Sequence, residues 1–293
     1  MSFRIKRLAI IGVGLIGGSL ARALRAADVV DEIVGCGRGK ANLDLAVELG
    51  VIDRYSHDIA EAVQGADMVF LAVPLGAMRD AFAAMCDVLG DDALITDGGS
   101  AKGSVVNDCR DAAPDLLARF VPGHPIAGTE NNGVAASFAE LYQNRRVILT
   151  PLQQNSATDI DRVAQMWQTC GAEVTKMSVA HHDEVLAATS HLPHMLAFGL
   201  VDMLARLKEN DEIFRYAAGG FRDFTRIASS NPVMWRDICI ANREALSPML
   251  AAFAEEMNEL AQRIGSADAD ALLEIFERAK AARDRYVDGL KQD

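Results

Sequence analysis

Residues 8–19 read Leu8-Ala9-Ile10-Ile11-Gly12-Val13-Gly14-Leu15-Ile16-Gly17-Gly18-Ser19, a short apolar run, a glycine turn, and then helix formers with apolar residues at Leu20, Ala23 and Leu24. This is strand, turn and helix in the spacing G-x-G-x-x-G. Gly12 permits the tight turn, Gly14 lets the backbone approach a pyrophosphate, and Gly17 lets the helix pack close to the strand, its N-terminal N–H groups facing the anion. A second strand over residues 32–36 follows at the distance a βαβ unit needs, so the segment predicts dinucleotide binding over the alternative of a merely tight βα turn.

Further strands are expected over residues 68–73, ending in Pro74, and over 93–96 and 146–149, with a helical pattern over 78–89. Alternation of this kind implies a mostly parallel sheet with ligands beyond the carboxyl ends of its strands. Gly12, Val13, Gly14, Leu15, Ile16 and Gly17, with Val73 and Pro74, are therefore the candidate cofactor contacts. An acid at the end of the second strand normally receives the ribose hydroxyls of NAD, whereas arginine favours a 2′-phosphate. Here that place holds Gly37-Arg38-Gly39-Lys40, so Arg38 is a further candidate contact and NADP is expected over NAD; the competing reading is a solvated basic turn.

Residues 123–130, Gly-His-Pro-Ile-Ala-Gly-Thr-Glu, place one imidazole, His124, in a loop rich in glycine and proline. Taking a hydride from a carbinol carbon leaves a hydroxyl proton in need of an acceptor, and neutral histidine suits that task near pH 7. His124 is thus the candidate base, set against a histidine that only ties a loop. Ser100, after Asp97-Gly98-Gly99, is either a partner for a substrate hydroxyl or for His124, or an ordinary turn and cap residue.

The chain has 293 residues, half of them hydrophobic, enough for two domains with full cores. A net charge of -12 without a basic run argues against nucleic-acid and membrane-surface partners. Cys36, Cys86, Cys109, Cys170 and Cys239 are scattered and odd in number, which fits reduced thiols in the core and no structural metal. No apolar stretch reaches the length a bilayer requires, and a cytoplasmic protein is expected.

From His181 onward strand signals vanish. Leu250, Phe253, Met257, Leu260 and Ile264 recur at helical spacing, a stripe that faces either its own core or a second subunit. Gly265 is expected to stop that helix and Ser266 to cap the next. Two stretches look too polar for simple packing: Ser190-His191-Leu192-Pro193-His194, and residues 219–237, where Arg226 stands in an otherwise uncharged run as a candidate carboxylate clamp or as a tie between helices. The histidine pair has no acidic partner patterned with it, so no metal is expected.

Residues 12–19, Thr96-Asp97-Gly98-Gly99-Ser100-Ala101-Lys102-Gly103, the Gly123 to Glu130 segment, 190–194 and 220–237 together resemble the prephenate/arogenate dehydrogenase family of tyrosine biosynthesis, over nearly the whole chain. The glycine fingerprint is widely shared; Gly-His-Pro-Ile-Ala-Gly-Thr-Glu and the segment around Arg226 and Trp235 are specific. The resemblance implies a Rossmann-type domain, 1–178, followed by an all-helical dimerisation domain, 179–293, and a homodimer. It implies oxidative decarboxylation: hydride leaves C4 of a cyclohexadienol, the ring carboxylate departs as carbon dioxide, and 4-hydroxyphenylpyruvate or tyrosine forms. His124 would take the C4 hydroxyl proton, Ser100 would orient that hydroxyl and the imidazole, and Arg226 would hold a substrate carboxylate. His194, Glu130 and Trp235 would line the pocket or shape its charge. The missing acid after the second strand is the departure that matters, since NAD use does not carry over. The competing readings are a β-hydroxyacid dehydrogenase-like enzyme, for which Lys208 lacks the glycine-containing frame, and a non-enzymatic NAD(P)-binding sensor, which has no need of His124, Ser100 and Arg226 together.

Overall fold

The computed structural model describes residues 3–129, 131–208 and 210–290. Its first sheet runs in the order β3-β2-β1-β4-β5, all parallel, with β1 at Ile5–Ile11, β2 at Val30–Cys36, β3 at Arg54–Ser56, β4 at Met68–Leu71 and β5 at Leu94–Asp97. Residues 8–11 and all of β4 and β5 are buried, as a central parallel sheet covered on both faces demands. The helices α1 (Leu15–Ala26), α2 (Lys40–Glu48), α3 (Ile59–Val63), α4 (Met78–Met85) and α5 (Lys102–Ala112) alternate with these strands. One face packs Leu20, Leu24, Tyr142 and Trp167 over the sheet; the other packs Met78, Phe82, Val105 and Phe120.

A second sheet of three strands follows, β6 (Gly123–Pro125), β7 (Arg146–Leu149) and β8 (Glu173–Lys176), with α6 (Ala157–Thr169) between the last two. The reading of residues 123–130 as a loop is therefore corrected at its start: His124 lies in β6, antiparallel to β7 and opposite Ile148. Its backbone groups are satisfied by β7, which a sequence dominated by Gly and Pro does not advertise.

After β8 the chain is helical: α7 (Val179–Leu186), α8 (Leu192–Ala205), α9 (Asn210–Arg215), α10 (Gly219–Thr225), α11 (Pro232–Ala241), α12 (Arg243–Gly265) and α13 (Ala269–Leu290). Between α7 and α8 the backbone makes a π-helical turn over Ala187–His191. Pro193, which has no N–H to donate, follows at once.

The chain divides into two compact units, Met1–Arg243 and Glu244–Asp293. The first extends past residue 178 because α7 packs on α5 and α11 packs on the turn at Leu75–Ala77. The second is the pair α12 and α13, on which Leu250, Met257, Ile264, Leu273 and Phe276 are exposed. Ser266 does not cap α13: its hydroxyl donates to the carbonyls of Gln262 and Arg263, closing the preceding helix, while Asp268 accepts from the Ala271 N–H. Among the described residues no helix is long and apolar enough to cross a membrane.

Candidate active site

The glycine loop behaves as its spacing predicts. Gly12 has φ +101°, and a Cβ there would stand 2.7 Å from the Ala72 carbonyl carbon, so the turn at the end of β1 admits no side chain. A Cβ on Gly17 would meet Ile10 Cγ2 at 2.7 Å, which is how α1 lies close on β1. Gly14 differs: nothing lies within 4 Å of its ideal Cβ. As the N-cap of α1 it offers no side-chain cap and the first turn holds no acid, leaving the helix amides free for an anion. Asn42 holds the loop, donating to the Val13 carbonyl (2.7 Å) and accepting from the Val134 N–H (3.0 Å).

A cleft of ≈ 610 Å³ opens from this loop. Gly12, Val13, Gly14, Arg38, Val73 and Pro74 line it, as do Asn42 and His57; the candidate contacts Leu15, Ile16 and Gly17, at the start of α1, do not. Lys40 Nζ is bound to Asp44 (2.7 Å), which also accepts from Tyr55. Among the described residues Arg38 has no such carboxylate. A dinucleotide pyrophosphate fits the open space at Gly14, and an adenosine half fits the cleft beside Arg38.

His124 lies beside the carboxyl end of β5, fixed there by a buried polar cluster. Asp97, the last residue of β5, accepts from the Gly123 N–H (3.0 Å) and the Gly99 N–H (2.8 Å). Lys102 is fully buried; its ammonium is paired with Asp97 and donates to the Gly123 carbonyl (2.7 Å). Gly123, the residue before His124, is thus gripped at both its N–H and its C=O. Burial pushes the Lys102 ammonium down, against the pull of Asp97.

The imidazole itself is 7% exposed, and its Nδ1 stands 2.9 Å from Nε2 of His182. His182 Nδ1 is 2.8 Å from Asp183 Oδ1, and Asp183 accepts from the N–H groups of Lys102 (2.8 Å) and Gly103 (2.7 Å) at the start of α5. Burial first, then His182, Lys102 and His191, hold His124 well below the usual histidine range, so the ring is neutral at pH 7. Among the described residues no hydrogen bond joins Ser100 to either His124 nitrogen; Ser100 is half-buried just before α5, and the partner at Nδ1 is His182. Neither His182 nor Asp183 is among the candidate residues the sequence offers. The signal available was an imidazole next to a carboxylate, His182-Asp183.

The network continues. Asn242 Nδ2 donates to the Asp183 carbonyl (2.9 Å) and to His191 Nδ1 (3.0 Å). A neutral His191 then carries its proton on Nε2, which is buried without a protein partner among the described residues, as is Trp235 Nε1. Burial drives His191 down to about 4. Trp235 stacks on His194, centroids 3.6 Å apart and planes 21° from parallel, and meets His191 edge-on at 6.0 Å. His194 Nδ1 donates to the Ser190 carbonyl (2.8 Å), leaving Nε2 as its lone-pair nitrogen. Burial and the nearby Arg226 guanidinium push His194 down. Arg226 is exposed at the end of α10 and has no ion pair among the described residues. Glu130 lies outside the described residues.

A glycine cradle, a cleft for a nucleotide and a buried neutral imidazole at the end of the neighbouring strand define a Rossmann-type, nicotinamide-dependent oxidoreductase. Two sequence profiles cover most of the chain: the nucleotide-binding domain of prephenate dehydrogenase matches residues 20–176, and its dimerization domain matches residues 178–278. The chain belongs to the prephenate dehydrogenase family. It is 44% identical to a cyclohexadienyl dehydrogenase of Zymomonas mobilis over 282 residues, 95% of each chain. The crystal structure of prephenate dehydrogenase from A. aeolicus in complex with hydroxyphenyl propionate and NAD+ superposes with a TM-score of 0.89 at 37% identity, covering 97% of this chain and 99% of that one. Synechocystis arogenate dehydrogenase gives 0.81 at 26% identity, covering 96% and 99%.

Proposed function

We propose that the protein oxidatively decarboxylates prephenate, arogenate or both, with NADP used in preference to NAD. His124 is the proton acceptor, Ser100 orients the substrate hydroxyl, and Arg226 holds a substrate carboxylate, with His194, Trp235 and Glu130 lining the pocket. The observation that carries the reading is the state of His124, a buried neutral ring whose Nδ1 is already engaged, leaving Nε2 as the atom able to take a proton.

The bound nicotinamide ring supplies the hydride acceptor; Gly14 and the amides of α1 would hold its pyrophosphate, and Arg38 a 2′-phosphate. His124 Nε2 takes the hydroxyl proton as the hydride leaves the same carbon. Arg226 is better placed on the side-chain carboxylate than on the ring carboxylate, because a grip on the departing group would stabilise the ground state that must be lost. The half-buried His194 and the buried Trp235 exclude water next to that site. Residues 1–178 act as the cofactor domain and 179–293 as the substrate and dimerisation domain. The exposed apolar side chains of α12 and α13 support a homodimer, since a two-helix unit alone covers little of its own apolar surface.

Absorbance at 340 nm tests the reading, with NADP or NAD offered with prephenate, arogenate and 3-hydroxyisobutyrate in turn. Turnover is expected with a cyclohexadienyl substrate and faster with NADP at low cofactor concentration. Turnover of 3-hydroxyisobutyrate alone, or none with any pair, refutes it.

A further inference from the structure

We propose that His182 and Asp183 are positioning residues that fix the tautomer of His124, keeping Nε2 as its lone-pair nitrogen and sharing the positive charge that forms when it takes a proton. The inference rests on His124 being the proton acceptor and deepens that reading.

The order of donors along the chain follows from its far end. Asp183 takes three donors, the Lys102 N–H, the Gly103 N–H and His182 Nδ1, all within 2.8 Å. An ionised carboxylate only accepts, and it sits where the free amides of α5 favour negative charge; α5 has no acid of its own in its first turn. Burial alone would raise the Asp183 carboxyl, but His182 and the two amides hold it below the usual carboxylate range. His182 Nδ1 therefore carries the proton. The remaining nitrogen of a neutral His182 is an acceptor, 2.9 Å from His124 Nδ1, so that atom is the donor and Nε2 of His124 is left bare. The ring centroids are 5.1 Å apart with the planes at 62°, so the rings meet nitrogen to nitrogen and not through a ring face, as a hydrogen bond to an in-plane lone pair requires.

The chain is built in from several sides. Gly103 has no Cβ because one would stand 2.8 Å from Asp183 Oδ2. Asn242 ties the Asp183 carbonyl. Burial and Lys102 oppose positive charge on both rings; His182 has the Asp183 hydrogen bond and the charges of Asp183 and Asp97 set against them, whereas His124 has no carboxylate and is opposed by His182 and His191 as well. The charge is thus more stable one ring further in.

The proton balance is closed. The substrate O–H bond breaks as N–H forms at His124 Nε2, and the Nδ1 proton of His124 moves to Nε2 of His182, whose Nδ1 faces the Asp183 carboxylate. With a bound nicotinamide to accept the hydride, the bond to the leaving carboxylate would break, and its electron pair would enter the ring and reach the oxygen that lost its proton. The reverse shift returns the proton there. No proton has to leave, which suits a relay buried from solvent.

The test compares Asp183→Asn, His182→Gln and His182→Leu in the full-length protein, with prephenate and NADP or NAD. Asp183→Asn is expected to lower kcat by about 10- to 100-fold, to leave KM and cofactor affinity within about threefold, and to move the acid limb of the kcat–pH profile about one unit lower. It should cause no further loss in a His124→Asn background, and His182→Gln, which still offers an acceptor to His124, should retain at least about tenfold more activity than His182→Leu. An unmoved acid limb, an additive loss on His124→Asn, or equal loss in the two His182 variants overturns the proposal. If these variants do not fold, imidazole ¹⁵N shifts of the unsubstituted protein decide it: a proton on Nδ1 of His124 supports it and a proton on Nε2 refutes it. Normal turnover by His124→Asn is the separate result that removes the proton-acceptor reading beneath it.

Discussion

Replacing Gly14 by alanine adds one methyl group at a position whose ideal Cβ has no protein atom within 4 Å. The backbone there is extended, with φ -111°, a region open to alanine, so folding stability should change by less than about 1 kcal/mol. The methyl instead occupies the space in front of the α1 amides, where a pyrophosphate must come within hydrogen-bonding distance. Displacing it forfeits one or two charge-assisted bonds at about 1.5–3 kcal/mol each. A net loss of about 2–3 kcal/mol corresponds to roughly 30- to 150-fold weaker dinucleotide binding. Gly17→Ala is the control, because its methyl would collide with Ile10 and force α1 off β1, lowering stability and affinity together. The assay is a fluorescence titration with NADPH and NADH beside thermal melts of both variants. Unchanged affinity in a normally folded Gly14→Ala protein would refute the cradle assignment, and a large drop in Tm would show that the space is not open.

Three further outcomes are expected. Lys102→Met leaves the Asp97 carboxylate buried without its cation and should cost about 3–5 kcal/mol, read from urea unfolding; a loss under about 1 kcal/mol would contradict the buried pairing. His191 is held down to about 4 in the folded chain against an ordinary 6.5, so the native state binds fewer protons than the unfolded one between those values. The stability it contributes is complete above pH 6.5 and declines as pH falls toward 4, by about 3 kcal/mol at most, so His191→Asn should flatten the acid dependence of the urea midpoint; an unaltered slope counts against it. Arg226→Gln should raise the substrate KM by about 2–4 kcal/mol equivalent with a smaller effect on kcat, and steady-state kinetics showing the reverse split would take Arg226 off the substrate carboxylate.

The parts of this molecule that are legible in its sequence are those governed by local rules. The glycine loop, the long central strands and the imidazole at 124 are each written in a contiguous stretch, and a stripe of apolar residues gives away α12. What is not legible depends on contacts between distant segments. β8 is polar and half-exposed and is a strand only because β7 provides its ladder. Lys102 and Asp97 read as solvated charges in a glycine-rich turn, yet their mutual pairing makes complete burial tolerable. The relay through His182 and Asp183 joins α7 to β6 across almost sixty residues, a separation no spacing rule reports. At Ser100, proximity to a motif suggests a bond to the substrate hydroxyl or to His124; the structure shows only that Nδ1 of that ring faces His182.

The π-helical turn at Ala187–His191 has an evolutionary consequence. An α-helix advances about 100° per residue, so one additional residue in that turn resets the angular phase of everything after it relative to everything before it. Asp183, upstream, faces α5, while His191, which ends the turn, and His194, beyond it, meet Trp235. Deleting one residue there would leave two respectable helices and aim them at the wrong partners. Variation in length should therefore be purged from this turn while the helix surfaces around it drift freely.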